Sequence, residues 1–586
     1  MTMAPLQVIL LLLLIRMPAI LAQMSPGAAP VQVSGFMAAF VVISYLATLG
    51  ALVVFVWQRT AKAVRLLNLP STNGAEVSHH MDRLMSWTRR AINAVVAVHL
   101  YLLHLPAVVS GWLSHTVLLG RIPFFAEALY LLPVFLAWLG LWTANYEVES
   151  INRERSFPYR LAQGLPAHPM PTLSQYLSMQ VRHNYYFVVL IGLVTLFEFL
   201  GDQTEGRIPN SQYVFGALAF LSMVLVVPWL MTRIWVTVPL RGPLRQRLDA
   251  IAKQHHVRFR NILLWKTHNQ VTNAAILGPV HFARYFLMTD ALLEQLSDQQ
   301  IEAVFAHEVG HGVHRHILWY FAGLIGALSL TGGVAKFMQV YATPAINLAL
   351  VKYVGTPDAA AYLFVMVAMG LVMSFGFPLV SHRFEHQADW FAARHMSKMF
   401  AARNESLPMP AITLTQAPDP VEYSASIVDV QPLPVQNVTV EQYVAGEYPH
   451  ARPSDVPPPK VIKPSGPNIL NARPIQTVLP PEIAGTEVFI SALDALVEIT
   501  HRSRDKRGWM HPSINNRAML LRELARNPAA AAAFRHRMIR TRIIIAAVLV
   551  VGAATALMAD RLPDPPAQEQ PRQQLPVSKD GKVFQA

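Results

Sequence analysis

The chain has 586 residues, of which 53% are hydrophobic and only 14% charged, with a formal net charge of +13. Soluble globular domains carry about 25% charged residues, so this composition, with its positive mean hydropathy, excludes an ordinary soluble protein and describes a membrane protein. There is no cysteine, which excludes disulfides, zinc ribbons and thiol catalysis and leaves His, Asp and Glu to build any metal site.

Residues 1–22 form an apolar run that Arg16 interrupts, closing on Ala19-Ile20-Leu21-Ala22. The short uninterrupted core fits a signal peptide better than a span, and because no Lys or Arg precedes Arg16 an uncleaved anchor is the alternative. Runs near 35–57, 92–114, 123–143, 185–201, 212–236, 317–340, 359–380 and 542–559 each approach the roughly 20 apolar residues that cross a bilayer. Eight spans are expected. His99, His104, Glu198 and Lys336 fall inside them and must face protein or water, lining a hydrated chamber, bonding between helices or lying near a membrane interface.

The loop after the first span carries Arg59, Lys62, Arg65, Arg83, Arg89 and Arg90, whereas Met17 to Gly35 carries no basic residue. That loop is therefore expected in the cytoplasm. Alternation then places 144–184, 237–316 and 381–541 inside and Gly201–Gln212 outside, so the long basic loops share one side. Orientation explains the positive charge, and no nucleic-acid partner is expected.

Between the fifth and sixth spans, Phe259–Lys266 and Arg284–Met288 are strand-like runs flanking Thr272-Asn273-Ala274-Ala275-Ile276. A short sheet follows, with an edge to which an extended peptide can pair through its main chain; a purely structural hairpin is the alternative. Next, Leu296-Ser297-Asp298-Gln299-Gln300-Ile301 opens a helix, with Ser297 as N-cap, Gln300 completing a capping box and Leu296 stapling onto Ile301. Two to three turns into that helix stands His307-Glu308-Val309-Gly310-His311. Two imidazoles four apart face one way and can share a zinc ion, while Glu308 is placed as general base. The metzincin extension is absent, since His314 and Ile317 occupy its Gly and His positions, so a third ligand must come from elsewhere.

Immediately after the seventh span, Ser381-His382-Arg383-Phe384-Glu385-His386-Gln387-Ala388-Asp389 offers four metal-binding side chains on one helix. Glu385 and Asp389 share a face, but chemistry alone does not choose Glu385 over His382 or His386. Residues 401–482 hold sixteen prolines and read as a long Pro-rich loop. Its two sequons, at Asn404 and Asn437, lie on the expected cytoplasmic side and are taken as chance matches. Glu487–His501 is an amphipathic helix, and Met510-His511-Pro512-Ser513-Ile514-Asn515-Asn516-Arg517 opens another.

These ordered pieces resemble the membrane zinc peptidases that comprise the type 1 CAAX prenyl proteases and the HtpX-type proteases. Asn273-Ala274 is similar to that family's edge-strand motif, His307–His311 to its zinc helix, His316 to its following His, Arg383–Asp389 to its ExxxD segment, and His511-Pro512 with Arg517 to its HPxxxxR segment. Together they cover about 250 residues. The resemblance implies one zinc per chain, Glu385 as third ligand, Asp389 as its partner, His511 and Arg517 lining the site as candidate oxyanion donors, and Asn273 and Ala274 holding an extended substrate. It also implies a mainly α polytopic fold with a gluzincin-type peptidase domain and a small sheet, nearer the seven-span prenyl protease layout. The departures are the signal-like N-terminus, the Pro-rich insert and the eighth span.

The expected organisation is a signal peptide at 1–22, five spans over 35–236, a zinc peptidase core with two spans over 237–400, an irregular insert over 401–486, the rest of the peptidase domain over 487–540, an eighth span over 542–559 and a disordered tail over 560–586. The expected activity is that of an integral-membrane zinc metalloendopeptidase acting on membrane-associated, prenylated or misfolded proteins. Its expected location is the cell (inner) membrane or an endomembrane, with the active site facing the cytoplasm. A silent membrane scaffold or a transporter is the alternative; the intact Glu308 argues against the first and the zinc signature against the second.

Overall fold

The computed structural model describes residues 33–69, 72, 74–114, 116, 125–162, 168–184, 186–342, 359–403, 407–408, 478–500 and 503–562. The expected signal peptide, both sequons, nearly all of the Pro-rich insert and the tail beyond 562 lie outside those residues. The described chain falls into two compact units, the larger holding residues up to Leu318 together with Pro378–Met538.

The larger unit begins with apolar helices. Helix α1 (Gly35–Leu67) starts at an N-cap where Ser34 accepts from the Met37 N–H. Helix α2 (Gly74–Ala97) runs through a π turn at Val98–Leu102 and breaks at His104, whose φ is 51°, before α3 (Leu105–Ser114) leaves at a bend of 62°. Pro106 sits in the first turn of α3, where its missing N–H does no harm. Helix α4 (Phe125–Ala162) follows, then α5 (Leu173–Asn184), α6 (Tyr186–Glu205) and α7 (Ser211–Ile234). Within this bundle Tyr45 donates to the Tyr130 carbonyl at 2.8 Å, and His99 bonds Ser44 at 3.1 Å and the Val95 carbonyl at 2.8 Å. His99 is thus satisfied by its own helix and by α1.

Among the described residues, six helices are long and apolar enough to cross a membrane, and eight if each of two bent pairs is one span. All eight expected spans are therefore represented. The second and fourth are the bent ones, because residues 92–114 and 185–201 hold enough apolar length without one straight helix.

The sheet comes from the segment after α7. Strand β1 (Thr237–Pro239) leads to α8 (Gly242–Gln254), β2 (Asn261–Trp265), β3 (Ala274–Leu277) and β4 (Tyr285–Thr289), in spatial order β1-β2-β4-β3. Strand β4 is buried at every position and pairs parallel with β2 and antiparallel with β3, which leaves β3 as an edge. Strand β1 was not anticipated; three residues give no period to read. After a short helix, α9 (Asp290–Gln295), comes α10 (Asp298–Val313) with its capping box: Gln300 N–H donates to Ser297 Oγ at 3.4 Å, and Ser297 N–H to Gln300 Oε1 at 3.0 Å.

Helix α13 (Phe377–Arg403), which follows α11 (His316–Phe337) and α12 (Ala359–Leu371), belongs to the larger unit from Pro378 onward. With it pack α14 (Pro481–Thr500) and α15 (Ile514–Arg526). One apolar core joins Leu248, Phe286 and Phe305 with Met396, Phe489 and Leu521, so the segments on either side of the Pro-rich insert form one body. Gly485 marks the crossing of α14 on α13, since a Cβ there would overlap the Ser397 nitrogen.

The smaller unit takes the rest of α11, α12 and the end of α16 (Pro528–Asp560). A Cβ on Gly326 would lie 2.7 Å from the Leu549 Cα, and one on Gly552 would overlap the Gly326 carbonyl oxygen. Small residues let two helices meet backbone to backbone where lipid supplies no hydrophobic drive. The eighth expected span is accordingly a packed helix.

Candidate metal centre

Helix α10 puts His307 and His311 one turn apart, and their Nε2 atoms converge to 3.1 Å. From α13, Glu385 brings one oxygen to 3.7 Å from His307 Nε2 and the other to 3.4 Å from His311 Nε2. These three side chains are a group able to hold a metal ion. Zinc with nitrogen and oxygen ligands at about 2.0–2.1 Å in a tetrahedron needs donors about 3.4 Å apart. The two Nε2 atoms, and each of them and its nearer Glu385 oxygen, stand 3.1 to 3.7 Å apart, close to that spacing, so the residues fit zinc.

Each imidazole is anchored through its other nitrogen. His307 Nδ1 lies 2.9 Å from Asp389 Oδ1. His316 Nε2 donates to Gln387 Oε1 at 3.1 Å, so its Nδ1, in the neutral ring, accepts from His311 Nδ1 at 2.9 Å. Both anchors leave the Nε2 lone pairs facing the cluster, which is what a metal ligand needs. The His316 ring is itself held flat against Phe384, with centroids 4.4 Å apart.

Asp389, fully buried, is gripped by Arg517, whose Nε and terminal nitrogen donate to its two oxygens at 2.8 and 2.5 Å. Phe489 packs over both, stacked on the His307 ring at 5.8 Å and under the Arg517 guanidinium at 6.0 Å. Two of the three guanidinium nitrogens of Arg517 are therefore taken up by Asp389. His511 donates from Nδ1 to Glu385 Oε2 at 2.7 Å while its side chain stays 59% exposed.

Burial sets the electrostatics. It pushes the His311 imidazole down to about 3 and the Glu308 carboxyl above the usual range, the latter against the pull of His307 and of a backbone N–H at Ile276. Burial would also lower His307, but Asp389 and Glu385 outweigh it and raise it. Burial acts likewise on Arg517, and Asp389 again outweighs it.

The remaining predicted residues lie on the sheet edge. Thr289 N–H donates to the Asn273 carbonyl at 3.1 Å. By the alternation of an antiparallel ladder, Ala274 and Ile276 then turn their main-chain groups away from β4. Asn273 is exposed at the head of this strand. His382 and His386 stand outside the triangle: both His382 nitrogens bond elsewhere, to the Gly508 carbonyl and Arg507, and His386 Nδ1 lies 3.9 Å from Asp389. Gln387 and Phe489 were not anticipated, because nothing in a lone amide or a helical Phe signals contact with a histidine far away in sequence.

Residues 241–446 match the model of Peptidase family M48. That segment is similar to the peptidases of this family. The matched segment contains Asn273, His307, Glu308, His311, Glu385 and Asp389, while His511 and Arg517 lie beyond it. Among solved structures, Ste24p of S. mikatae is 15% identical over 61% of this chain and 88% of its own, with a TM-score of 0.36. No curated protein matches the chain. With its apolar helices and the matched segment, the chain is a multi-pass membrane protein that carries a peptidase domain.

Proposed function

We propose that the chain is an integral-membrane zinc metalloendopeptidase, with His307, His311 and Glu385 as the zinc ligands and Glu308 as the general base. The observation that carries this reading is the convergence of His307, His311 and Glu385 at a helix that also carries a half-buried Glu308. Zinc held there would acidify a water and polarise a peptide carbonyl.

Glu308 takes the proton of the attacking water and returns it to the leaving amide nitrogen, a role that suits a carboxyl held above the usual carboxylate range. His511 steadies Glu385 with one nitrogen and presents its exposed ring to the carbonyl oxygen as charge develops there. Asp389, clamped by Arg517, fixes the ring of His307. A substrate strand pairs along β3 with Ala274 beside Asn273, and the Ile276 N–H links that edge to Glu308. The peptidase domain comprises 237–400 and 487–540, a division that the shared apolar core supports. The site faces the cytoplasm of a cell (inner) membrane or endomembrane, on the strength of the basic loops, and the substrates are membrane-associated proteins, prenylated or misfolded.

Purified protein loaded with zinc, tested against prenylated and unmodified membrane substrates, decides the reading. Metal-dependent internal cleavage is expected. Zinc bound at one per chain with no cleavage of either set would sink it.

A further inference from the structure

Helix α13 reaches the loop before α15 through two adjacent side chains. Ser381 donates to the Met510 carbonyl at 2.8 Å, and His382 Nε2 donates to the Gly508 carbonyl at 3.1 Å. The other His382 nitrogen accepts from the Arg507 guanidinium at 3.0 Å. Both α13 side chains are buried, His382 at 7% exposure. The loop closes on itself where Gly508 N–H donates to the His511 carbonyl at 2.9 Å. One turn beyond His382, Glu385 receives His511 Nδ1. The same helix therefore holds the His511 segment by its backbone and by its ring.

A loop residue with a mostly exposed side chain keeps one orientation only if its neighbours are ordered, and that order costs conformational entropy which must be offset by bonds. His382 supplies a donor and an acceptor from one rigid buried ring. We propose that His382 is a positioning residue for the reaction: it fixes Gly508–His511 so that His511 sits on Glu385 and keeps its exposed side toward substrate. This rests on the peptidase reading above.

The test compares His382→Gln, which retains a donor and an acceptor, with His382→Leu, which retains neither. In His382→Leu, kcat should fall on the order of 10–100-fold, the scale of a displacement of about 1 Å at a reacting group, with KM little changed and zinc still bound. His382→Gln should recover most of the rate. In a His511→Ala background the Leu change should cost less than about threefold more, because the two residues act as one unit. Amide exchange of 508–511 in zinc-free protein should quicken in His382→Leu and return toward wild type in His382→Gln. Additive losses, a Gln variant no better than Leu, or zinc loss in the Leu variant would each overturn the proposal. If His382→Leu does not fold, Arg507→Ala carries the test at an exposed position: the same amides should loosen, and unchanged exchange counts against the proposal. Wild-type protein that binds zinc yet cleaves nothing would defeat the peptidase reading, while the exchange comparison would still decide whether His382 holds the loop.

Discussion

Arg517 grips Asp389 with two nitrogens on two oxygens, and both side chains are buried, at 9% and 0% exposure. Breaking a buried pair from one side leaves an uncompensated charge, at a cost of about 3–5 kcal/mol. Arg517→Ala should therefore lower the thermal midpoint substantially, and because Asp389 also anchors His307 it should weaken zinc binding by roughly 10–100-fold. Arg517→Lys should recover little, since an ammonium cannot reproduce the two-point fork. Calorimetry and zinc titration measure both effects. An Arg517→Ala protein as stable as wild type would show that Asp389 has other support.

Glu308→Gln should leave the fold and zinc content unchanged and reduce turnover by at least about 10²–10⁴-fold, because it removes the base without touching a ligand atom. Zinc analysis beside a cleavage assay separates the two. Cleavage at the wild-type rate rules out Glu308 as the base.

Glu385→Ala should abolish stoichiometric zinc, whereas His386→Ala and His382→Ala should keep it. The reason is geometric: Glu385 lies within 3.4 Å of His311 Nε2, while both His382 nitrogens bond elsewhere. Metal analysis of the three purified proteins checks this. Zinc retained in the Glu385 variant and lost in either histidine variant would reassign the third ligand.

The Pro-rich insert leaves and rejoins the body at one place, since Leu407 and Pro408 pair antiparallel with Leu479 and Val478. Replacing 409–477 by Asn-Gly, a two-residue hairpin turn, should preserve zinc binding and shift the thermal midpoint by only a few degrees. Collapse of the shortened protein would mean that the insert contributes to the core.

A reporter fused after Asn437 should report cytoplasm, and one fused after Pro563 the opposite side. Arg535, Arg537, Arg540 and Arg542 crowd one end of the last apolar run, and basic residues stay inside. Both reporters on one side would mean that 542–559 does not cross.

What the sequence by itself determined was local or additive. The eight apolar runs depend on length and composition, the capping box at Ser297 and Gln300 on a spacing of three, and the pairing of His307 with His311 on one helical turn; each survives without knowledge of any neighbour. The short apolar runs indicate a small sheet, and the edge position of Ala274 was implied only by the family resemblance. Tertiary structure decided the rest. Four candidate ligands follow the seventh span, and only the rotation of α13 against α10 turns Glu385, and neither His382 nor His386, into the triangle. The HPxxxxR spacing places Arg517 near the site, and only the packing of α15 on α13 sets its Nε and one terminal nitrogen on Asp389. The anchor of His311 is a second histidine held by Gln387, 71 residues farther along, and no period or spacing links such atoms. Helix periodicity fixes which side chains share a face. The packing of one face on another fixes which of them meet.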